Sequence, residues 1–232
     1  MKRWYFLFTV ALLVLAFTGC KKDDEEVAQM AQMKLAENLS KLGIPDAIKN
    51  SSNSYAQQVV GYYDQAMSID DYTSWFDLPD DATHDGNNYY WSYGGFSVWE
   101  VYDETSSGYT RDIYFKTTET SKLKYLHSEE SKDGKTGTME IYNYLSETDE
   151  LLYTYDWVFD SKGNLTLTEK WSDGSLEYDI VSNVDLSGSA KYYSNGKLLY
   201  EFYWNTDGSG SYKWYEDDGS VAYSDSWTAA QL

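Results

Sequence analysis

The groups in this chain that could do chemistry are two histidines, one cysteine and a large excess of carboxylates, 38 Asp and Glu against 18 Lys and Arg. A Ser-His-Asp arrangement would need His84 or His127, and no nucleophile-elbow motif accompanies either. His127 lies inside Leu123-Lys-Tyr-Leu-His-Ser128, a strand-like run that reads as structural or exposed. Glu100, Asp103 and Glu104 contain the pair of carboxylates that glycoside hydrolysis needs, provided they face each other across about 5–9 Å. Carboxylates are spread through the whole chain, so spacing alone does not single these three out. The glycines sit singly at turns and form no phosphate-cradling loop. The chain reads as a binding protein and not an enzyme, with no cofactor implied; a secreted glycan hydrolase using paired carboxylates is the alternative.

Two ligand chemistries stand out. Asp77, Asp80, Asp81 and Asp85, with the side-chain carbonyls of Asn87 and Asn88, supply hard oxygen ligands of the kind calcium takes. Their spacing is not that of an EF-hand, and a solvated acidic loop is the simpler explanation. The second is recognition of glycan on exposed rings. The chain holds 24 Tyr, 9 Trp and 8 Phe, which as amphipathic rings offer flat apolar surface with a polar rim. Most alternate with polar residues and belong to a core. Tyr89, Tyr90, Trp91 and Tyr93 do not, so rings fall on both faces of one strand and some must be exposed or covered by a helix. Glycan, lipid or protein are the partner classes left open. Nucleic acid is excluded by the net charge of −20, because phosphate binding requires a basic surface.

The N-terminus says where such a module would work. Lys2 and Arg3 precede an uncharged, mostly apolar run from Trp4 to Phe17, and small Thr18 and Gly19 lead to Cys20. A basic start, a short apolar stretch and a small-residue cleavage site describe a secretory signal over residues 1–19, too short for a membrane span of about 20 apolar residues. Leu15-Ala16-Phe17-Thr18-Gly19-Cys20 resembles the lipobox of bacterial lipoproteins, with Phe17 where that family usually has Leu. The resemblance implies a lipid on the Cys20 thiol, cleavage before it and acylation of the new amino group, giving a cell-envelope protein held at the outer membrane. Lys21-Lys22-Asp23-Asp24-Glu25-Glu26 resembles the lysine-then-acidic tag of surface lipoproteins of Bacteroidetes, which implies outward exposure. Loss of Lys2 and Arg3 with the leader would take the net charge to −22, so the acyl chains, and not attraction to anionic lipid, would supply attachment. Cys20 is the only cysteine, so the fold must hold without an internal disulfide.

The elements that must position these groups follow from periodicity. Residues 20–53 read as a lipidated tether with weak helical tendency, stopped by Gly43 and Pro45. The spacing predicts a helix over 54–68, with Ser54 and Gln57 at capping-box spacing and Ala56, Val59, Val60, Tyr63 and Met67 on one stripe. Residues 69–88 are acidic and loop-like. From about Tyr89 the chain is β structure, roughly a dozen strands by the run-and-turn rule. Tyr153, Tyr155, Trp157 and Phe159 share one face against Thr154, Asp156, Val158 and Asp160. Such alternation means one buried and one wet face. Turn dipeptides such as Lys162-Gly163, Asp173-Gly174, Ser187-Gly188, Asn195-Gly196 and Asp218-Gly219 recur every 8 to 14 residues, one strand and one turn each.

An internal echo supports a meander. Lys191-Tyr-Tyr-Ser-Asn-Gly-Lys-Leu-Leu199 matches Lys213-Trp-Tyr-Glu-Asp-Asp-Gly-Ser-Val221 and, more loosely, Glu169-Lys-Trp-Ser-Asp-Gly-Ser-Leu176. Over residues 157–227 this pattern resembles variant MORN-type repeats, in which a hairpin recurs along a sheet. The expectation is therefore a single mainly β domain over 54–232, an antiparallel up-and-down meander forming either a barrel or a strongly twisted sheet, with the N-terminal helix packed on it.

Overall fold

The computed structural model describes residues 32–116, 122–146 and 148–231. The leader, Cys20 and the Lys21–Glu26 segment lie outside the described residues. The chain opens with short helices α1 (Leu35–Leu39) and α2 (Asp46–Lys49), a longer α3 (Ser54–Met67), α4 (Ile69–Thr73) and a 3-10 turn at Ser74–Phe76. Thirteen strands follow. They are β1 (Thr83–Asp85), β2 (Asn88–Tyr93), β3 (Phe96–Glu104), β4 (Gly108–Lys116), β5 (Lys122–Ser131), β6 (Thr136–Tyr142), β7 (Leu151–Phe159), β8 (Leu165–Trp171), β9 (Leu176–Ser182), β10 (Gly188–Ser194), β11 (Lys197–Trp204), β12 (Gly210–Tyr215) and β13 (Val221–Trp227).

Each strand pairs antiparallel with its sequence neighbours in one sheet running from β1 to β13 in order, and β1 and β13 do not meet. The sheet is open, so the barrel alternative is not what forms. Among the described residues no helix is long and apolar enough to cross a membrane.

Helices and the 3-10 turn cover one face of the sheet. Alternation places Tyr155, Trp157 and Phe159 there, all buried, and register carries that face across the sheet through Met139 and Gly137 on β6 and Leu165 and Leu167 on β8. The other faces of the same strands carry Thr154, Asp156 and Val158, with Val158 53% exposed. α3 packs on β8, β9 and β10. Its buried residues are Ala56, Val59, Tyr63 and Ala66; Val60 and Met67, expected on the stripe, are only half-buried. Tyr62 lies among Tyr178, Tyr192 and Phe202, with centroids 5.3–5.9 Å away. Each large ring buried in this way contributes about 1.5–3 kcal/mol.

Three expectations are corrected. The cap of α3 is Asn53, whose Oδ1 accepts from the Tyr55 and Ala56 amides at 2.9 and 3.2 Å. Gln57 instead donates to the Ile48 and Ser51 carbonyls, tying α2 to α3. The tether ends well before residue 53. From Gln32 the chain belongs to the same compact unit as the strands, and Leu35, Leu39, Ile44 and Ile48 are buried. α1 lacks a side-chain cap of its own; Glu130 on β5 supplies one, accepting from the Lys34 and Leu35 amides at 3.2 and 2.8 Å. Residues 69–88 are not one loop, since they contain α4, the 3-10 turn and β1.

Turn chemistry sets the register. Asp133, Asp160, Asp173, Asp185, Asp207 and Asp218 each accept from the backbone amide two residues on, the Asx-turn device. In five of these turns a glycine follows with positive φ, and in the Asp185 turn Leu186 takes that conformation at φ 71°. The turn is thus Asp185-Leu186, and Gly188 is the first residue of β10. Gly188 has another role, shared with Gly137 and Gly210. A tryptophan on the next strand lies flat over each, Trp157 on Gly137, Trp204 on Gly188 and Trp227 on Gly210, so closely that a Cβ would come within 2.2–2.4 Å of the ring. Each indole N–H then donates to the preceding turn, to the carbonyls of Gly134, Leu186 and Gly208 at 3.2, 2.9 and 2.7 Å. Three hairpins share this lock.

Candidate functional site

α4 buries Ile69 and Thr73 and delivers the chain to the 3-10 turn. There Phe76 enters the core beneath Arg111, whose Cζ lies 5.4 Å from its ring and 5.1 Å from that of Tyr102. With Phe76 anchored, Trp75 is fixed against Tyr93 (centroids 4.7 Å, 61°), Tyr125 (5.0 Å, 74°) and Phe115 (5.6 Å, 78°), all edge to face. Trp91 and Tyr93 share a face of β2 by the two-residue period.

β2 is only half covered along its outer edge. The register of β1 ends at Thr83 opposite Tyr90, so Trp91, Ser92 and Tyr93 have no strand beyond them among the described residues. A hollow of about 240 Å³ opens there, lined by Ser74, Trp75, Asp77, Pro79, Trp91, Ser92 and Tyr93. A second, of about 390 Å³, shares Trp91 and Ser92 and adds Asp81, Thr83, Tyr90, Ser97, Val98 and Lys116. The Lys116 Nζ lies over Tyr90 at 4.8 Å. Tyr90 stacks in turn on Trp99 (6.2 Å, 17°), whose indole N–H donates to Asn88 Oδ1 at 3.0 Å. Exposure is graded: Trp91 is 9% exposed and Tyr93 59%. Rings with hydroxyls and carboxylates at their margins can hold the C–H face of a sugar ring while accepting from its hydroxyls.

The expected aromatics are therefore split, with Trp91 and Tyr93 in one hollow, Tyr90 in the other, and Tyr89 buried at 3% exposure beside His84 (5.8 Å, 27°). The acidic stretch is divided too. Asp77 lines the first hollow and Asp81 the second, while Asp80 and Asp85 are exposed. The Asn87 amide donates to Asp103 at 2.8 Å and that of Asn88 to the Asp85 carbonyl at 3.2 Å. Among the described residues no three His, Cys, Asp or Glu side chains converge on a metal position.

Glu100, Asp103 and Glu104 are not brought to one cleft. Glu100 is fully buried on the covered face and faces Arg111 at 3.6 Å. Burial pushes its carboxyl up to about 8, with Arg111 only partly opposing. Asp103 lies on the opposite side of β3 by alternation, and Glu104 pairs with Lys132 at 2.7 Å.

His127 lies on the uncovered face, where its Nδ1 meets Asp112 Oδ1 at 2.9 Å. That hydrogen bond raises the imidazole above its ordinary range against the effect of burial. Burial pushes Asp112 up, but His127 and Lys124 outweigh it and the carboxyl falls below its ordinary range. The ring's other nitrogen faces Glu129 at 3.6 Å, so the arrangement orients an imidazole between carboxylates. Neighbouring Ser128 points to the buried face.

Trp75 is the site residue that the sequence reading missed. The available signal was an adjacent aromatic pair, Trp75-Phe76, inside an otherwise acidic stretch. No protein-family model and no curated protein matches this chain.

Proposed function

We propose that this protein is a lipid-anchored, outward-facing binding module that takes a glycan in the cleft at the free edge of β2. The observation that carries the reading is the convergence of Trp75, Trp91 and Tyr93 with Asp77 on a hollow of about 240 Å³, matched to a single sugar ring; the hollow beside Tyr90 and Lys116 lies round the edge of β2 on the other face of the sheet. A pyranose presents an apolar C–H face to Tyr93 and Trp75, while Asp77 addresses its hydroxyls. Ring contacts of this kind contribute about 0.5–1.5 kcal/mol each beyond the area they bury, so single-site affinity is modest. Display of many copies on one surface raises it through avidity. The acyl chains on Cys20 provide the attachment, and the acidic surface keeps the module off anionic lipid and nucleic acid.

The test is a glycan-array screen of residues 20–232, the chain left by the expected cleavage, carrying Cys20→Ser, followed by calorimetry on the best hit with anionic and zwitterionic vesicles as comparison arms. Tyr93→Ala, 59% exposed, is expected to weaken glycan binding at least fivefold while the chain stays folded, losing no more than the ~0.5–1.5 kcal/mol of its edge-to-face contact with Trp75. Binding to vesicles and not to glycan, or glycan binding indifferent to Tyr93→Ala, overturns the reading.

A further inference from the structure

An open sheet has two edges, and here they are built differently. β1 is three residues long, ends in Asp85 and follows Asp80 and Asp81. A short, charged edge discourages pairing with another chain. β13 is seven residues long, six of them exposed, and its one charged side chain is Asp225. It carries no Lys or Pro, and its one bulge is at Ala222 near its start, where Trp214 pairs with Tyr223 and Tyr215 with Val221; from Tyr223 to Trp227 the edge is regular. Among the described residues β12 is its only strand neighbour.

The strand is also held rigid. Trp227 is locked over Gly210 with its indole bonded to the Gly208 carbonyl at 2.7 Å. The other two hairpins with this lock pass their Trp-bearing strand on to a further strand, Trp157 facing Leu167 of β8 and Trp204 facing Gly210 of β12. For the third hairpin, which ends with β13, no further strand is found among the described residues.

We infer that β13 is a self-pairing edge, through which two copies of this chain join their sheets antiparallel about a two-fold axis at Ser224. The strand suits itself as partner. Centred on Ser224 and inside the bulge at Ala222, the pairing sets Tyr223 opposite Asp225 of the other copy on both sides of the axis. The Tyr223 hydroxyl already donates to Asp225 within the strand at 3.0 Å, and the same chemistry is offered across the axis. The two Asp225 carboxylates are offset, so like charges do not stand face to face. Tyr223 and Trp214, paired in register and 44% and 43% exposed, lie beside the joint and lose water on association. A two-fold interface needs this self-complementarity. Net charge opposes it, because each copy carries −20. Repulsion between charges beyond about 10 Å is screened at 0.1 M salt, so the dimer is strengthened by salt.

The test uses residues 20–232, the chain left by the expected cleavage, with Cys20→Ser, which removes the only cysteine. Sedimentation equilibrium should show a monomer–dimer equilibrium tightening at least about threefold between about 0.02 and about 0.3 M salt, as the Debye length falls from about 20 to about 6 Å. Ser224→Cys should then form a disulfide-linked dimer under mild oxidant, because opposed Cα atoms in an antiparallel pair lie about 4.5–5.5 Å apart, within disulfide reach. Ser226→Cys is the control on the same strand and face, with its own copy about 13 Å away along the pair, and should cross-link at least tenfold more slowly. Ser224→Glu sets two carboxylates opposite each other across the axis, while within the chain it faces Lys213, its register partner on β12; it should shift the equilibrium to monomer while the monomer stays folded. A monomer at all salt concentrations, or equal cross-linking at 224 and 226, overturns the inference.

Discussion

Gly137→Ala tests the hairpin lock in the middle of the sheet. A Cβ at residue 137 would stand 2.2 Å from Trp157 Cζ2 and 2.4 Å from the Glu129 carbonyl oxygen. The ring is 1% exposed and its N–H is committed to the Gly134 carbonyl at 3.2 Å. The ring therefore has no free direction in which to move, and the carbonyl is backbone of the neighbouring strand. Overpacking of this sort costs about 1–3 kcal/mol, and displacing the indole forfeits a hydrogen bond worth about 1 kcal/mol. The sum, about 2–4 kcal/mol, is a large share of a domain's stability. Gly61→Ala is the matched comparison. Gly61 is exposed in the interior of α3 and no atom lies within 4 Å of an added Cβ. There the same substitution should stabilise, by about 0.5–1 kcal/mol, since Ala is the better helix former. Urea denaturation followed by tryptophan fluorescence should move the two midpoints in opposite directions. A Gly137→Ala midpoint within about 0.5 kcal/mol of the parent, the spread of ordinary surface changes, would refute the lock.

Two further outcomes follow. The Glu100 carboxyl is raised by burial to about 8 from an ordinary 4.5, so folding takes up a proton there. Its contribution to stability is fully present below about pH 4.5 and is lost as pH rises through 8; the stability of Glu100→Gln should fall less steeply over that window than the parent's in urea titrations, and parallel profiles would sink the assignment. Labelled palmitate should be incorporated into the parent chain in a lipoprotein-competent bacterium and not into Cys20→Ser, and an unlabelled parent removes the anchor.

The fold was largely legible because its strands alternate cleanly. Tyr153, Tyr155, Trp157 and Phe159 announced their buried face, and the Asp/Asn-Gly dipeptides announced most of the turns. What sequence left undecided was closure, since neither period nor turn spacing says whether the first strand reaches the last. It also misread Gly188, because a glycine beside a turn looks like a turn glycine, and its partner Trp204 is brought opposite only by strand pairing. α1 and α2 were hidden for a related reason. Their apolar residues are few, and the cap of α1 comes from Glu130, which is 96 residues away from Lys34 in sequence. The candidate site was half legible. Trp91 and Tyr93 were conspicuous as consecutive aromatics, and Asp77 and Asp81 as acids. That they line adjoining hollows depends on Phe76 anchoring the turn that carries Trp75.

The glycan cleft is tested most directly by the indole N–H resonances of the nine tryptophans during titration with the best-binding glycan. Trp75 and Trp91 should shift in a saturable manner, while Trp171 and Trp214, which are 37% and 43% exposed elsewhere on the sheet, should stay in place. Saturable shifts confined to Trp171 or Trp214, with Trp75 and Trp91 unmoved, would contradict the account and put the recognition surface elsewhere on the sheet.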